Sequence, residues 1–139
     1  MRLDVVLRVI AKLVIPFIIV FGLYVQLHGE YSPGGGFQAG VIVAAAVILY
    51  AIIYGLDAAE AMVPKRVVEM MVPLGVLVFA GVGVVSLGAG ANYLDYDPLA
   101  TVDAEGQVWG VIIVELGVLI SVAGTMIAIF YAFADRGRR

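Results

Sequence analysis

Glu115 is the one acidic residue deep inside an apolar stretch of this 139-residue chain, eight positions beyond Gln107. On a helix rising about 1.5 Å per residue, that spacing puts its carboxyl about 12 Å into the stretch. A carboxylate at such depth in hydrocarbon is costly unless it is neutralised, paired or hydrated. Removal from water favours the neutral acid, so Glu115 is expected to hold a proton at rest and to exchange it when water or a cation arrives. Groups of this kind build proton or sodium paths; a neutral carboxyl that merely anchors two helices is the competing reading. His28, the sole histidine, closes the first apolar stretch, and a residue that titrates near neutral pH is a second candidate for proton transfer. A histidine in that position also serves as a helix cap or a partner for a loop carbonyl.

Other chemistries find little support. The chain has no cysteine, which excludes disulfides, thiolate metal sites and iron–sulfur ligation, and one histidine alone makes no zinc site. No Ser/His/Asp or paired-carboxylate set is visible, and the glycines fit neither a phosphate loop nor a dinucleotide fingerprint. Nucleic-acid binding lacks a basic surface. The run Asp95-Tyr96-Asp97-Pro98 is turn-forming; as a calcium loop it does not match EF-hand spacing. No cofactor is implied.

The elements that must position Glu115 and His28 belong to a membrane. With 63% hydrophobic residues and a mean hydropathy of +1.09, the chain has too little polar surface to cover a water-soluble globule. Four stretches, about 5–27, 38–56, 67–91 and 107–134, reach the roughly 20 helical residues that cross a hydrocarbon core. They predict an all-α, multi-pass protein of the cell membrane, a single transmembrane domain over 1–139 packed as one small bundle. The eight basic residues fall at the termini and in the second connection: Arg2, Arg8, Lys12, Lys65, Arg66, Arg136, Arg138 and Arg139. The first and third connections instead hold Glu30, Asp95, Asp97, Asp103 and Glu105. The positive-inside rule therefore places both termini in the cytoplasm.

Small residues recur at helical spacing, as close approach between helices in lipid requires. The second span carries Gly36, Gly40, Ala44, Ala51 and Gly55, the third Gly83, Ser86 and Gly90, the fourth Gly110, Gly117, Ser121 and Gly124. At 100° per residue, Glu115 shares a face with Val108, Val111, Leu119, Val122 and Met126, roughly opposite the glycines. If the glycines pack within the chain, Glu115 is expected to meet lipid unless a partner subunit covers it. Between the first two spans, Pro33-Gly34-Gly35-Gly36 permits a sharp turn that opens directly into a hydrophobic helix.

The string Tyr24-Val-Gln-Leu-His28-Gly-Glu-Tyr-Ser32-Pro-Gly-Gly-Gly-Phe37-Gln-Ala-Gly40 resembles the signature of the MnhB/MrpB family, small membrane subunits of multisubunit sodium/proton antiporters. In that family a G-H or H-G pair precedes a P-G-G-G-F-Q-x-G run at the start of the second helix. The segment Trp109-Gly-Val-Ile-Ile-Val-Glu115-Leu-Gly117-Val is similar to the family's Glu-Leu-Gly-Val run in the last helix. The resemblance implies a subunit that contributes to Na+/H+ exchange beside larger antiporter-like membrane subunits, with Na+ and H+ as the transported ions. Related subunits occur in the membrane arms of ion-translocating hydrogenases and sulfur reductases. It also marks Pro33, Gly34, Gly35, Gly36, Phe37, Gln38 and Gly40 as a structural motif. Glu115 and His28 remain the ion-pathway candidates on their own chemistry, the first for its depth in a span and the second for its titration. A scaffold subunit that holds its partners without touching the ion is the alternative.

Overall fold

The computed structural model of the chain describes residues 2–29, 34–99 and 103–137. Pro33 lies outside the described residues. Those residues form five α-helices and one short 3-10 turn, without strands: α1 (Arg2–Leu27), α2 (Gly36–Tyr54), α3 (Leu56–Met62), α4 (Lys65–Gly88), the 3-10 turn (Asp97–Leu99) and α5 (Asp103–Arg136). Four of them, α1, α2, α4 and α5, are long and apolar enough to cross a membrane.

Glycines and a proline set the helix ends. The φ of 111° at Gly35 stops any helix from starting earlier than Gly36, and the φ of 97° at Gly55 ends α2 at Tyr54. The chain then forms α3, a short helix that lies in the stretch read from sequence as the second connection, where Asp57 and Glu60 break the apolar pattern. Pro64 precedes α4, where its missing N–H costs nothing. Gly90 has a φ of 83° and lies beyond the end of α4 at Gly88. It and Gly55 are therefore turn residues, not members of the packing stripes expected of them.

The long helices do not close into a bundle. They stand in a row, in the spatial order α1, α2, α5, α4. Ala11 and Ile15 of α1 cluster with Ala46 of α2, and Gly22 lies against Ala39, Ile42 and Val43, so these two helices run antiparallel. Gly36 meets Glu115 and Gly40 meets Leu119, an unchanging offset that makes α2 and α5 parallel. Gly75 faces Gly117 and Ser121 while Met71 faces Gly124, which makes α4 and α5 antiparallel. Both chain ends consequently fall at one end of the row. Only 11% of the α1 span is buried against 39% of α2; α1 is an edge helix and α2 an interior one. Lipid supplies no hydrophobic force to fold such a row shut, so association rests on close van der Waals contact along seams of small residues.

The two ends of the row are tied differently. At the chain-terminal end, Lys65 pairs with Glu60 at 3.4 Å and with Asp135, and the Tyr131 hydroxyl donates to the Val63 carbonyl at 3.1 Å. At the opposite end, Asp95 accepts from the Asp97 N–H and the Gln107 amide donates to the Asp97 carboxylate. The acids of this connection thus support its turn and the start of α5. Tyr93 packs on Gly83 and Tyr96 on Gly110, which uses two of the glycines on the expected stripes to seat aromatic rings instead of helices.

Candidate functional site

The glycine loop and Glu115 form one site. Gly29, just past α1, and Gly35, just before α2, both stand against the Glu115 carboxylate. A Cβ on Gly29 would lie 2.4 Å from Oε1, and one on Gly35 would lie 2.7 Å from the same oxygen. The next residue goes closer still, since a Cβ on Gly36 would lie 2.0 Å from the Glu115 backbone carbonyl oxygen. Carbon cannot approach oxygen that closely, so the helix crossing and the carboxylate seat both depend on the missing side chains. One turn further on, Gly40 repeats the approach to the Leu119 carbonyl at 2.9 Å. The loop is held from the other side by the Gly35 N–H, which donates to the Val25 carbonyl at 3.3 Å.

This arrangement corrects the expectation that Glu115 would face lipid or a partner subunit. The helical-face assignment itself holds: Gly117 and Gly124 pack on α4, and Glu115 points the other way. What lies the other way is α2 with its glycine loop, because α5 occupies an interior place in the row with a neighbour of the same chain on each face. Glu115 is half-buried within its own chain.

The electrostatics of the seat follow from α2. Its N-cap residue, Gly35, has no side chain to cap the first turn, and the leading N–H groups of a helix carry partial positive charge. The Glu115 carboxylate stands at that end. A helix N-terminus turned toward an anion is a device that membrane proteins use to hold charge away from bulk water.

The remaining motif residues separate into two roles. Gly34, Gly35, Gly36 and Gly40 build the seat and the crossing, whereas Phe37, at 60% exposure, and Gln38 point away from the chain. His28 is exposed; its ring stacks on Tyr24 at 4.5 Å between centroids, with Tyr24 Oη 3.5 Å from Nε2. It adjoins the site through Gly29. Gln26 was not singled out from sequence, yet it is 6% exposed, and both of its amide atoms are without a hydrogen-bond partner among the described residues. The signal was available: it is an amide in an apolar span, on the face of Ala11, Ile15 and Gly22.

Four membrane-length helices joined by short connections, with an ionisable residue seated between them, define a multi-pass integral membrane protein. Residues 6–128 match the family described as "Domain related to MnhB subunit of Na+/H+ antiporter". The chain is similar to "Putative antiporter subunit mnhB2" of Staphylococcus haemolyticus (strain JCSC1435), 30% identical over 135 residues, and to the protein of that name in Staphylococcus aureus (strain Newman), 30% identical over 134 residues. Each alignment covers 94% of both chains. The protein belongs to the MnhB family of Na+/H+ antiporter subunits, multi-pass proteins of the cell membrane that work with other membrane subunits.

Proposed function

We propose that this subunit contributes directly to Na+/H+ exchange, with Glu115 as the ionisable group on the ion path and His28 as a second titratable group beside it. The observation that carries this reading is the seating of the Glu115 carboxylate against Gly29 and Gly35 at the start of α2. Two backbone segments, at Gly29 and at Gly35 with Gly36, converge on one acid there, which is more construction than a surface charge needs. The role is that of a transporter subunit, not an enzyme. Its larger assembly is a free-standing antiporter or the membrane arm of a redox-driven hydrogenase or sulfur reductase complex, and the basic end of the row, with both termini, faces the cytoplasm.

The scaffold reading draws on a different observation. The row is open, and most of α1 is uncovered, a form suited to lying between larger partners. Substitution in the assembled complex separates the two. With Glu115→Gln the partner subunits are expected to co-purify as before while transport is lost, and Glu115→Asp is expected to retain part of the activity. Loss of partner subunits with both variants, in proportion to the loss of transport, would support the scaffold instead.

A further inference from the structure

We infer that the uncovered side of α5 seats a transmembrane helix of a neighbouring subunit, one that carries a basic residue level with Glu69. The inference concerns assembly, and it stands whichever role Glu115 has.

Two faces of α5 meet helices of its own chain, yet only 28% of its span is buried. The exposure is one-sided. On the covered side Ala123 and Ile127 are almost fully buried, and Ile127 and Tyr131 cluster with Val47, Ala51, Ala59 and Val68. On the other side three hollows follow one another down α5. The first, about 180 Å³, lies between Val76 and Phe79 of α4 and Val118 and Ser121. The second, about 170 Å³, has Phe37 of α2 as one wall and Thr125 and Met126 as the other. The third, about 210 Å³, lies between Lys65 and Glu69 of α4 and Ala128, Ala132 and Asp135. At about 100° per residue, Val118, Ser121, Thr125, Ala128 and Ala132 fall within roughly 80° of one another, and Lys65, Glu69 and Val76 within roughly 40°. The hollows are therefore parts of a single trough, floored by α5 and rimmed by α4.

Its length fits a helix better than a lipid. From Val118 to Asp135 is about 25 Å along the helix axis, most of the roughly 30 Å of a hydrocarbon core. A phospholipid, confined to one leaflet, fills about half of that core. The floor is also shallow in side chains: Ser121, Thr125, Ala128 and Ala132 are small enough for a second backbone to come close. The two hydroxyls among them already donate to carbonyls, Ser121 to Val72 at 3.3 Å and Thr125 to Ser121 at 2.7 Å. An apolar helix can lie on such a floor without leaving a polar group unmet.

Charge narrows the occupant further. In the third hollow Lys65 is already held by Glu60 and Asp135. Glu69, one turn further into α4, has no ion-pair or hydrogen-bond partner among the described residues. Arg66 stands two positions before the buried Val68 and so about 160° round α4 from it, turned from α5. Arg136 lies over the Phe133 ring, 6.0 Å from its centroid. A carboxylate at the edge of a span is costly unless it is paired, and it lacks the long stem by which lysine and arginine reach the headgroups. A Lys or Arg near the end of the docked helix supplies the missing charge.

The test is photo-crosslinking in the purified intact complex, with benzoylphenylalanine placed at Thr125 or at Ala132, both exposed, and adducts identified by mass spectrometry. The expected adducts join both positions to one apolar helix of one partner subunit, with a Lys or Arg toward the chain-terminal end of the trough. Glu69→Lys sets like charges together and should lower the yield by about tenfold or more, and exchanging the partner's basic residue for Glu should restore it. Adducts to lipid alone, or to a second copy of this chain, would overturn the inference. So would a yield unmoved by Glu69→Lys, or one that stays low after the exchange.

Discussion

Gly35 and Glu115 meet with no room for a side chain between them: a Cβ at Gly35 would stand 2.7 Å from Oε1, on a residue whose φ of 111° already suits glycine alone. Gly55 has a similar φ of 97°, but nothing lies within 4 Å of its Cβ position. Substitution by Ala at both sites separates two costs. Backbone strain of about 1–3 kcal/mol applies to each, and displacement of the carboxylate is added only at Gly35. Gly35→Ala is expected to lower the thermal midpoint of the complex more than Gly55→Ala does, and equal shifts would argue that the Glu115 contact has no energetic weight.

The α2–α5 crossing should be still less tolerant. Gly36→Ala would drive a methyl group into the Glu115 carbonyl, and only a shift of one helix against the other relieves that. Gly81, in the interior of α4, meets nothing within 4 Å, and Gly81→Ala gains about 0.5–1 kcal/mol of helix preference. Quantifying this subunit in purified complexes should show depletion for Gly36→Ala and normal levels for Gly81→Ala. Normal levels for both would mean that the crossing is looser than its geometry.

At the other end of the row, the buried Tyr131 hydroxyl and the exposed Lys65 pairs make opposite predictions. Tyr131→Phe leaves the Val63 carbonyl without its donor and is expected to cost about 1 kcal/mol, seen as a lowered thermal midpoint. Lys65→Ala removes ion pairs whose members are each partly in solvent. Such pairs contribute little and are screened by salt, so the midpoint should not move beyond error at moderate ionic strength.

The glycine motif and the acid in the last span were legible in the residues, and their meeting was not. Hydropathy marked four spans because length and apolar composition are local properties. It left α3 inside the second connection, because seven residues that include Asp57 and Glu60 are too short and too polar to register as a span. The wheel around Glu115 correctly set it opposite Gly117 and Gly124. The expectation that it would meet lipid unless a partner subunit covers it left out α2, because a helical wheel shows faces and not neighbours. Since α5 sits between α2 and α4, both faces are inside the chain. Glu115 stands 79 positions beyond Gly36, and their meeting depends on the parallel pairing of α2 with α5, a tertiary relation that no local spacing encodes. Gln26 is visible in the sequence as an amide in an apolar helix, and the burial of both of its amide atoms is the tertiary fact that gives it weight.

The most direct measurement is the initial rate of sodium-driven proton movement in membrane vesicles that carry Glu115→Gln complexes at the wild-type subunit ratio. A group on the ion path predicts a fall of about tenfold or more with assembly unchanged, equivalent to at least about 1.4 kcal/mol of lost transition-state stabilisation. Wild-type rates from fully assembled Glu115→Gln complexes would contradict that role.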